Sequence, residues 1–255
     1  PVVGDWNGYG LSQVGVRYSG YWLLDTGNRT FDGCGPDPCI PWVDLPGARP
    51  VLGDWNGDGK TKIGVFAAGA WYLDYNGNGI WDGCSVDKCL GWLGLPDEVP
   101  VVGDWTGTGK TKLGVFVNGT WLLDLNGNGT FDGCTTDACV TWTGQAGERP
   151  VLGDWNGDGT TDLGVYVNGT WILDRNGNRT FDGCTVDACV PWFGLEGEIP
   201  MPGDWTGDGK TKLGVYWNGA WILDTNNNQT FDGCTVDICA ALGGEAGDVP
   251  VVGKW

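Results

Sequence analysis

The side chains best placed for chemistry are acids and amides at alternate positions. Asp154, Asn156, Asp158 and Asp162 stand at positions one, three, five and nine of "DWNGDGTTD", with Gly157 and Gly159 between them. This spacing turns several side-chain oxygens toward one point, which is how calcium gathers its roughly six to eight oxygen ligands. The sister segments depart from it. Asp54, Asn56 and Asp58 are followed by Lys62, and Asp204, Thr206 and Asp208 by Lys212. Asp104 stands with Thr106, Thr108 and Lys112, and Asp5 and Asn7 with Tyr9 and Gln13. A lysine brings no oxygen. Either Lys62, Lys112 and Lys212 place ammonium groups where a cation would sit, held by charge-assisted hydrogen bonds, or they point to solvent over loops held by their own Asx turns. On both readings only the loop at Asp154 is a good calcium loop of this first kind.

A second acidic loop recurs more regularly. Asp124, Asn126, Asn128 and Asp132 hold positions one, three, five and nine of "DLNGNGTFD". So do Asp74, Asn76, Asn78 and Asp82; Asp174, Asn176, Asn178 and Asp182; and Asp224, Asn226, Asn228 and Asp232. A shortened version has Asp25, Asn28 and Asp32. Five residues further on, Asp37, Asp87, Asp137, Asp187 and Asp237 each offer another carboxylate. Such a donor set suits weak calcium binding, around 10⁻⁴ to 10⁻³ M as in extracellular modules. The alternative is a hydrogen-bonded Asn/Gly turn without metal. Because the alternating oxygens return in four repeats, calcium is the expected cofactor here.

Ten cysteines form five C-x4-C pairs: Cys34–Cys39, Cys84–Cys89, Cys134–Cys139, Cys184–Cys189 and Cys234–Cys239. Redox motifs usually read C-x-x-C, which is absent. Zinc needs four ligands, and five pairs cannot be shared out between repeats. A disulfide within each pair remains, contributing about 2 kcal/mol per small loop on the chain-entropy account. Five of them imply an oxidising, extracellular location, secreted or at the cell surface.

The elements that must position these groups are announced by repetition. "PVVGDW" at Pro1 returns as "PVLGDW" at Pro50 and Pro150, unchanged at Pro100, as "PMPGDW" at Pro200 and as "PVVGKW" at Pro250. The repeats are 1–49, 50–99, 100–149, 150–199 and 200–249, and 250–255 is an extra copy of the first strand. In the third repeat, short strands are predicted at 101–105, 113–117, 121–124 and 140–143, with Asn118-Gly119 as a type I′ hairpin. Five units of four antiparallel strands predict an all-β fold, a single five-bladed β-propeller over 1–255, with an open stack of modules as the alternative. Antiparallel order puts both acidic loops at one end of every blade. The sixth copy competes for ring closure, pairs outside the ring, or begins another repeat.

The unit "PVLGDWNGDGTTDLGVYVNGTWILDRNGN" resembles the FG-GAP and VCBS-type repeats of bacterial and archaeal surface proteins. The resemblance covers nearly the whole chain. It implies a propeller, calcium in the first loop, and an adhesive, ligand-binding or structural role. Only Asp154, Asn156, Asp158 and Asp162 match that family's loop in full.

Composition narrows function further. Histidine is absent, which removes Ser-His-Asp and Cys-His catalysis and histidine metal ligands. A net charge of -18 argues against nucleic acid as a partner, and no apolar run is long enough for membrane insertion. Nothing at the start reads as a secretion leader. Three tryptophans recur per unit, as Trp105, Trp121 and Trp142, with Leu242 replacing the last in the fifth. They are either platforms for sugars or packing between blades, and the leucine favours packing. Asn118 and Asn168 begin N-x-T sequons in hairpin turns, where a host could attach glycans. The expected function is a non-catalytic, lectin-like adhesion module binding glycan or an extracellular protein. The alternatives are a structural subunit that self-associates through the terminal strand, and a carbohydrate-active enzyme with paired carboxylates. For the last, the departures from the repeat (Tyr9, Arg17, Trp81, Trp217) supply no acid pair.

Overall fold

A computed structural model describes every residue except Leu93, Pro96 and 242–246, so the position of Leu242 lies outside the described residues. The protein is all-β, a five-bladed propeller with four antiparallel strands to the blade and about 50 residues per repeat. Blade one comprises β1 (Val2–Gly4), β2 (Gln13–Tyr18), β3 (Tyr21–Leu24) and β4 (Cys39–Pro41). Blade two comprises β5 (Arg49–Gly53), β6 (Lys62–Ala67), β7 (Ala70–Leu73) and β8 (Lys88–Gly91). Blade three has β9 (Val99–Gly103), β10 (Lys112–Val117), β11 (Thr120–Leu123) and β12 (Ala138–Thr141). Blade four has β13 (Arg149–Gly153), β14 (Asp162–Val167), β15 (Thr170–Leu173) and β16 (Ala188–Pro191). Blade five has β17 (Ile199–Pro200), β18 (Gly214–Trp217), β19 (Ala220–Leu223) and β20 (Ile238–Ala241). Each blade runs in sequence order, strand beside strand.

The strands lie about two residues earlier than the sequence suggests at both outer positions. β9 begins at Val99 because Val99 pairs with Phe116 and Pro100 with Val115. Proline is tolerated there because β9 is an edge strand. Trp105 leaves the sheet because Asp104 opens the acidic loop; its indole instead donates to Leu113 O at 3.1 Å. Asn118 and Gly119 carry φ of 48° and 76°, as a type I′ turn demands.

By internal contacts the chain forms two compact units, one of 1–117, 121–139 and 253–255, the other of 118–120 and 140–252. In the first, Val51, Trp55, Trp71, Leu73 and Trp92 of blade two pack on Leu113, Val115 and Leu122 of blade three. Blade one meets blade two likewise, through Val2, Trp22, Leu24 and Trp42 against Ile63 and Val65. In the second, Trp155, Trp171, Leu173 and Trp192 cover Leu213 and Val215. One face of a blade therefore carries indoles and the facing one carries aliphatics.

Candidate functional site

Both acidic loops lie at the same end of each blade, one between the first and second strands and one between the third and fourth. In blade two, Asp54 Oδ1 accepts the amides of Gly57 (2.8 Å) and Asp58 (3.1 Å), and Oδ2 that of Gly59 (2.7 Å). Lys62 Nζ donates to Asp54 Oδ1 at 2.9 Å, Asp58 Oδ1 at 2.6 Å and Lys60 O at 2.9 Å. The Lys62 side chain is almost fully buried. Lys212 repeats this on Asp204 (3.0 Å) and Asp208 (2.6 Å). Lys112 donates to Asp104 at 3.3 Å, to Thr108 Oγ1 at 3.0 Å and to Thr106 Oγ1. Burial alone would raise the Asp204 carboxyl, but the Lys212 ammonium and the Gly207 and Gly209 amides outweigh it and lower Asp204 to about 2.

Blade four has no such cation. Asp162 is 3% exposed, and its Oδ2 accepts the amide of Trp155 at 3.1 Å. Burial first, then the charges of Asp174, Asp158 and Asp154, push its carboxyl up to about 7. A Cβ added to Gly177, in the second loop, would meet Asp162 Oδ1 at 3.1 Å and Asn156 Nδ2 at 3.0 Å. In blade one, Gln13 takes the equivalent place, its Oε1 accepting the amide of Trp6 at 2.8 Å.

The second loops are hydrogen-bonded throughout. Asp74 accepts the amides of Gly77 (2.8 Å) and Gly79 (2.9 Å), while Asn76 and Asn78 donate to Asp82 Oδ2 at 3.0 and 2.7 Å. Asp87 accepts the amides of Asp82 and Tyr75 at 2.8 and 3.2 Å, which binds the loop to the disulfide turn. Asp124 and Asp132 repeat the pattern with Asn126 and Asn128, as do Asp182 with Asn176 and Asn178, and Asp232 with Asn226 and Asn228. Burial raises the carboxyls of Asp74, Asp124, Asp174 and Asp224. Among the described residues, no three Asp, Glu or Cys side chains converge as a ready metal cage. The loop at Asp154 still fits calcium in its chemistry, with three carboxylates, an amide oxygen and no lysine.

The five disulfides join the expected pairs, with Cα–Cα distances of 5.1–5.2 Å. Asn118 and Asn168 are exposed in their turns. Of the departures from the repeat, Arg17 faces Asp44 at 3.5 Å and Trp81 packs edge-on against Trp42 at 5.4 Å. Trp217 donates to Glu196 O at 3.1 Å. All three have structural partners.

Most of the recurring tryptophans are core, while Trp6, Trp205 and Trp221 are half-buried. Trp22, Trp71, Trp105, Trp121 and Trp171 are fully buried. A clasp that single repeats conceal joins neighbours: the indole of Trp92 donates to Gly129 O at 3.0 Å and its ring meets Phe131 at 5.7 Å. Trp142 and Trp192 treat Arg179 O with Phe181 and Gln229 O with Phe231 alike. Its signal was the Trp-to-Phe spacing across two repeats.

Two clefts open beside these clasps. One, of about 390 Å³, lies between blades one and two and is lined by Trp6, Ile40, Lys62, Asp74, Asn78 and Ile80. The other, of about 270 Å³, lies between blades two and three and is lined by Trp55, Tyr75, Lys88, Lys112, Asp124 and Asn128. Lys88 Nζ lies 4.9 Å from the centre of the Tyr75 ring. The Trp6 indole N–H, in the first cleft, has no hydrogen-bond partner.

Neither a protein-family model nor a curated protein matches the chain. Solved structures share its fold. One is a lectin of Agrocybe aegerita described for specific recognition of non-reducing terminal N-acetylglucosamine, 19% identical with a TM-score of 0.56. The match covers 91% of this chain and 64% of the lectin chain, so this chain spans less than two thirds of it. Another is the Tc holotoxin pore of Photorhabdus luminescens, 16% identical with a TM-score of 0.54, covering 90% of this chain and 11% of that one. At such identities the likeness defines the class of fold, a β-propeller.

Proposed function

We propose that the protein is a non-catalytic, extracellular module that binds glycans in the clefts between neighbouring blades. The observation that carries this is the recurrence of the cleft. Each pairs an indole and aliphatic side chains with an Asp, an Asn and a Lys, the mixture of apolar face and convergent polar groups that sugars require. The shared fold with a lectin supports the reading. The five disulfides favour an oxidising compartment, and among the described residues no helix is long and apolar enough to cross a membrane. We also assign the repeats to the FG-GAP and VCBS type on the loop Asp154, Asn156, Asp158, Asp162. Those four residues would hold calcium there, and the ion would supply the positive charge that Lys62, Lys112 and Lys212 supply in sister loops. At the second loops, calcium would have to displace the amide donations of Asn76 and Asn78 to Asp82 and their equivalents.

The test is a glycan array probed with the oxidised protein in calcium, then titration of the strongest hit, beginning with terminal N-acetylglucosamine. Several weak equivalent sites, weakened by Asn78→Ala and Asn128→Ala without loss of folding, are expected. Absence of any glycan binding in calcium would sink the proposal.

A further inference from the structure

The cleft between blades two and three departs from the repeat on both of its walls. On the blade-two wall, Lys88 opens β8 and its Nζ lies 4.9 Å from the centre of the Tyr75 ring. The corresponding positions are Pro38, Ala138, Ala188 and Ile238, none of them charged, and no other blade has an aromatic residue where Tyr75 stands. Tyr75 is fixed by its amide, which donates to Asp87 Oδ1 at 3.2 Å. Lys88 is exposed, and among the described residues its ammonium has the ring face as partner and no carboxylate. A ring face holds an ammonium in place without neutralising it.

On the blade-three wall, the span from Asp104 to Lys112 has one acid and two lysines, Lys110 and Lys112, a net charge of +1. The same span is neutral in blades two and five, and carries -1 in blade one and -3 in blade four. Lys62 and Lys212 each face two carboxylates, whereas Lys112 faces Asp104 and the hydroxyls of Thr106 and Thr108. The acid in the lining, Asp124, is 1% exposed and accepts the amides of Gly127 and Gly129 at 2.7 Å with its two oxygens. The cleft between blades one and two differs: Pro38 stands in place of Lys88, and Lys62 is neutralised by Asp54 and Asp58. A chain of net charge -18 turns anions away at long range. Only local cations can reverse that, and here both walls have exchanged acid for base.

We propose that the cleft between blades two and three selects sugars that carry a carboxylate, with Lys88 as the residue that determines the preference. This rests on the reading of the clefts as glycan sites and adds the class of sugar. The carboxylate would pair with the Lys88 ammonium, which has no existing ion pair to give up and can stay on the Tyr75 ring.

The test uses the full oxidised chain in calcium and matched methyl glycosides: glucuronide with glucoside, and galacturonide with galactoside. Each is titrated against isotope-labelled protein by NMR, with amide shifts at Lys88 and Asn128 reporting this cleft and those at Ile40 and Ile80 the other. At the Lys88 cleft the acid of at least one pair should bind about fivefold tighter than its neutral partner, near the top of what one exposed ion pair gives. Added NaCl should erode the difference. Lys88→Gln should abolish the preference and leave the neutral sugar's affinity unchanged, while Lys88→Arg keeps it. Equal binding of acid and neutral partner, or a preference that survives Lys88→Gln, would overturn the proposal and leave the glycan reading intact. So would binding of N-acetylglucosamine without any uronide, or a Lys88 shift in sodium acetate as large as in the uronides, since any anion would then serve. If no sugar binds at all, both readings fail.

Discussion

Lys62 and Asp162 hold the same ninth position of sister loops and face opposite problems. Lys62 is a buried cation paired with Asp54 and Asp58, while Asp162 is a buried acid with acids around it. Lys62→Met should remove the cation and leave two carboxylates facing each other. A cost of about 2 kcal/mol is expected in urea unfolding, below the usual figure for a broken buried pair because Asp58 is 45% exposed. The Asp204 carboxyl, lowered to about 2 in the folded state against 3.8 unfolded, contributes stability that is complete above pH of about 4 and disappears as pH falls toward about 2. Asp204→Asn should flatten the acid limb of the stability curve in that window, measured against wild type by pH-dependent melting. Glu98 illustrates a third case. It is 5% exposed with no hydrogen-bond partner for its carboxylate oxygens, whereas Glu198 accepts the hydroxyl of Tyr166. Phe66 stands where Tyr166 does, so Phe66→Tyr should stabilise by about 1 kcal/mol. The acidic pattern was plain in the sequence, but the burial that distinguishes Lys62 from a solvated lysine was not. It arises because the second loop folds over the first, where a Cβ on Gly77 would meet Lys62 Cε at 2.9 Å.

At the scale of the strand and turn, the hairpin between second and third strands was the most legible element, since Asn118-Gly119 admits one tight geometry. Blade two keeps that geometry with the wrong residue: Ala68 carries φ of 48°, where Asn118, Asn168 and Asn218 carry 48°, 48° and 47°. A Cβ without a polar side chain gains nothing in the left-handed region. Ala68→Asn should therefore raise stability by about 1 kcal/mol, seen as a higher urea midpoint at unchanged slope. The outer strands were less legible. Val99-Pro100 reads as a linker, yet proline is harmless on an outside edge and Val99 has Phe116 to pair with. The clasp of Trp92 on Phe131 was hidden for a different reason: its halves lie in different repeats, so neither repeat alone contains the contact. Periodicity describes one blade well and says little of how that blade grips the next.

For the whole molecule the dominant quantity is the net charge of -18, concentrated by antiparallel order at one end of each blade. Self-repulsion of this size destabilises a compact chain and is relieved by any salt through screening. Calcium held at the Asp154 loop would act differently, because site binding stabilises by mass action and saturates. Melting temperature in NaCl and in CaCl2 at matched ionic strength separates the two. NaCl should raise Tm gradually up to the highest concentration tested. CaCl2 should add a further rise complete within the millimolar range, abolished by excess chelator. In Asp154→Asn combined with Asp158→Asn, the screening rise should persist and the further rise should vanish. If the further rise survives those substitutions, calcium belongs to the second loops, where Asn78→Ala, Asn128→Ala, Asn178→Ala and Asn228→Ala combined would then remove it and Asn128→Ala alone only reduce it. If CaCl2 and NaCl coincide at every ionic strength, the acidic ends are held by lysines, backbone amides and disulfides alone, and their charge is left to attract cationic partners.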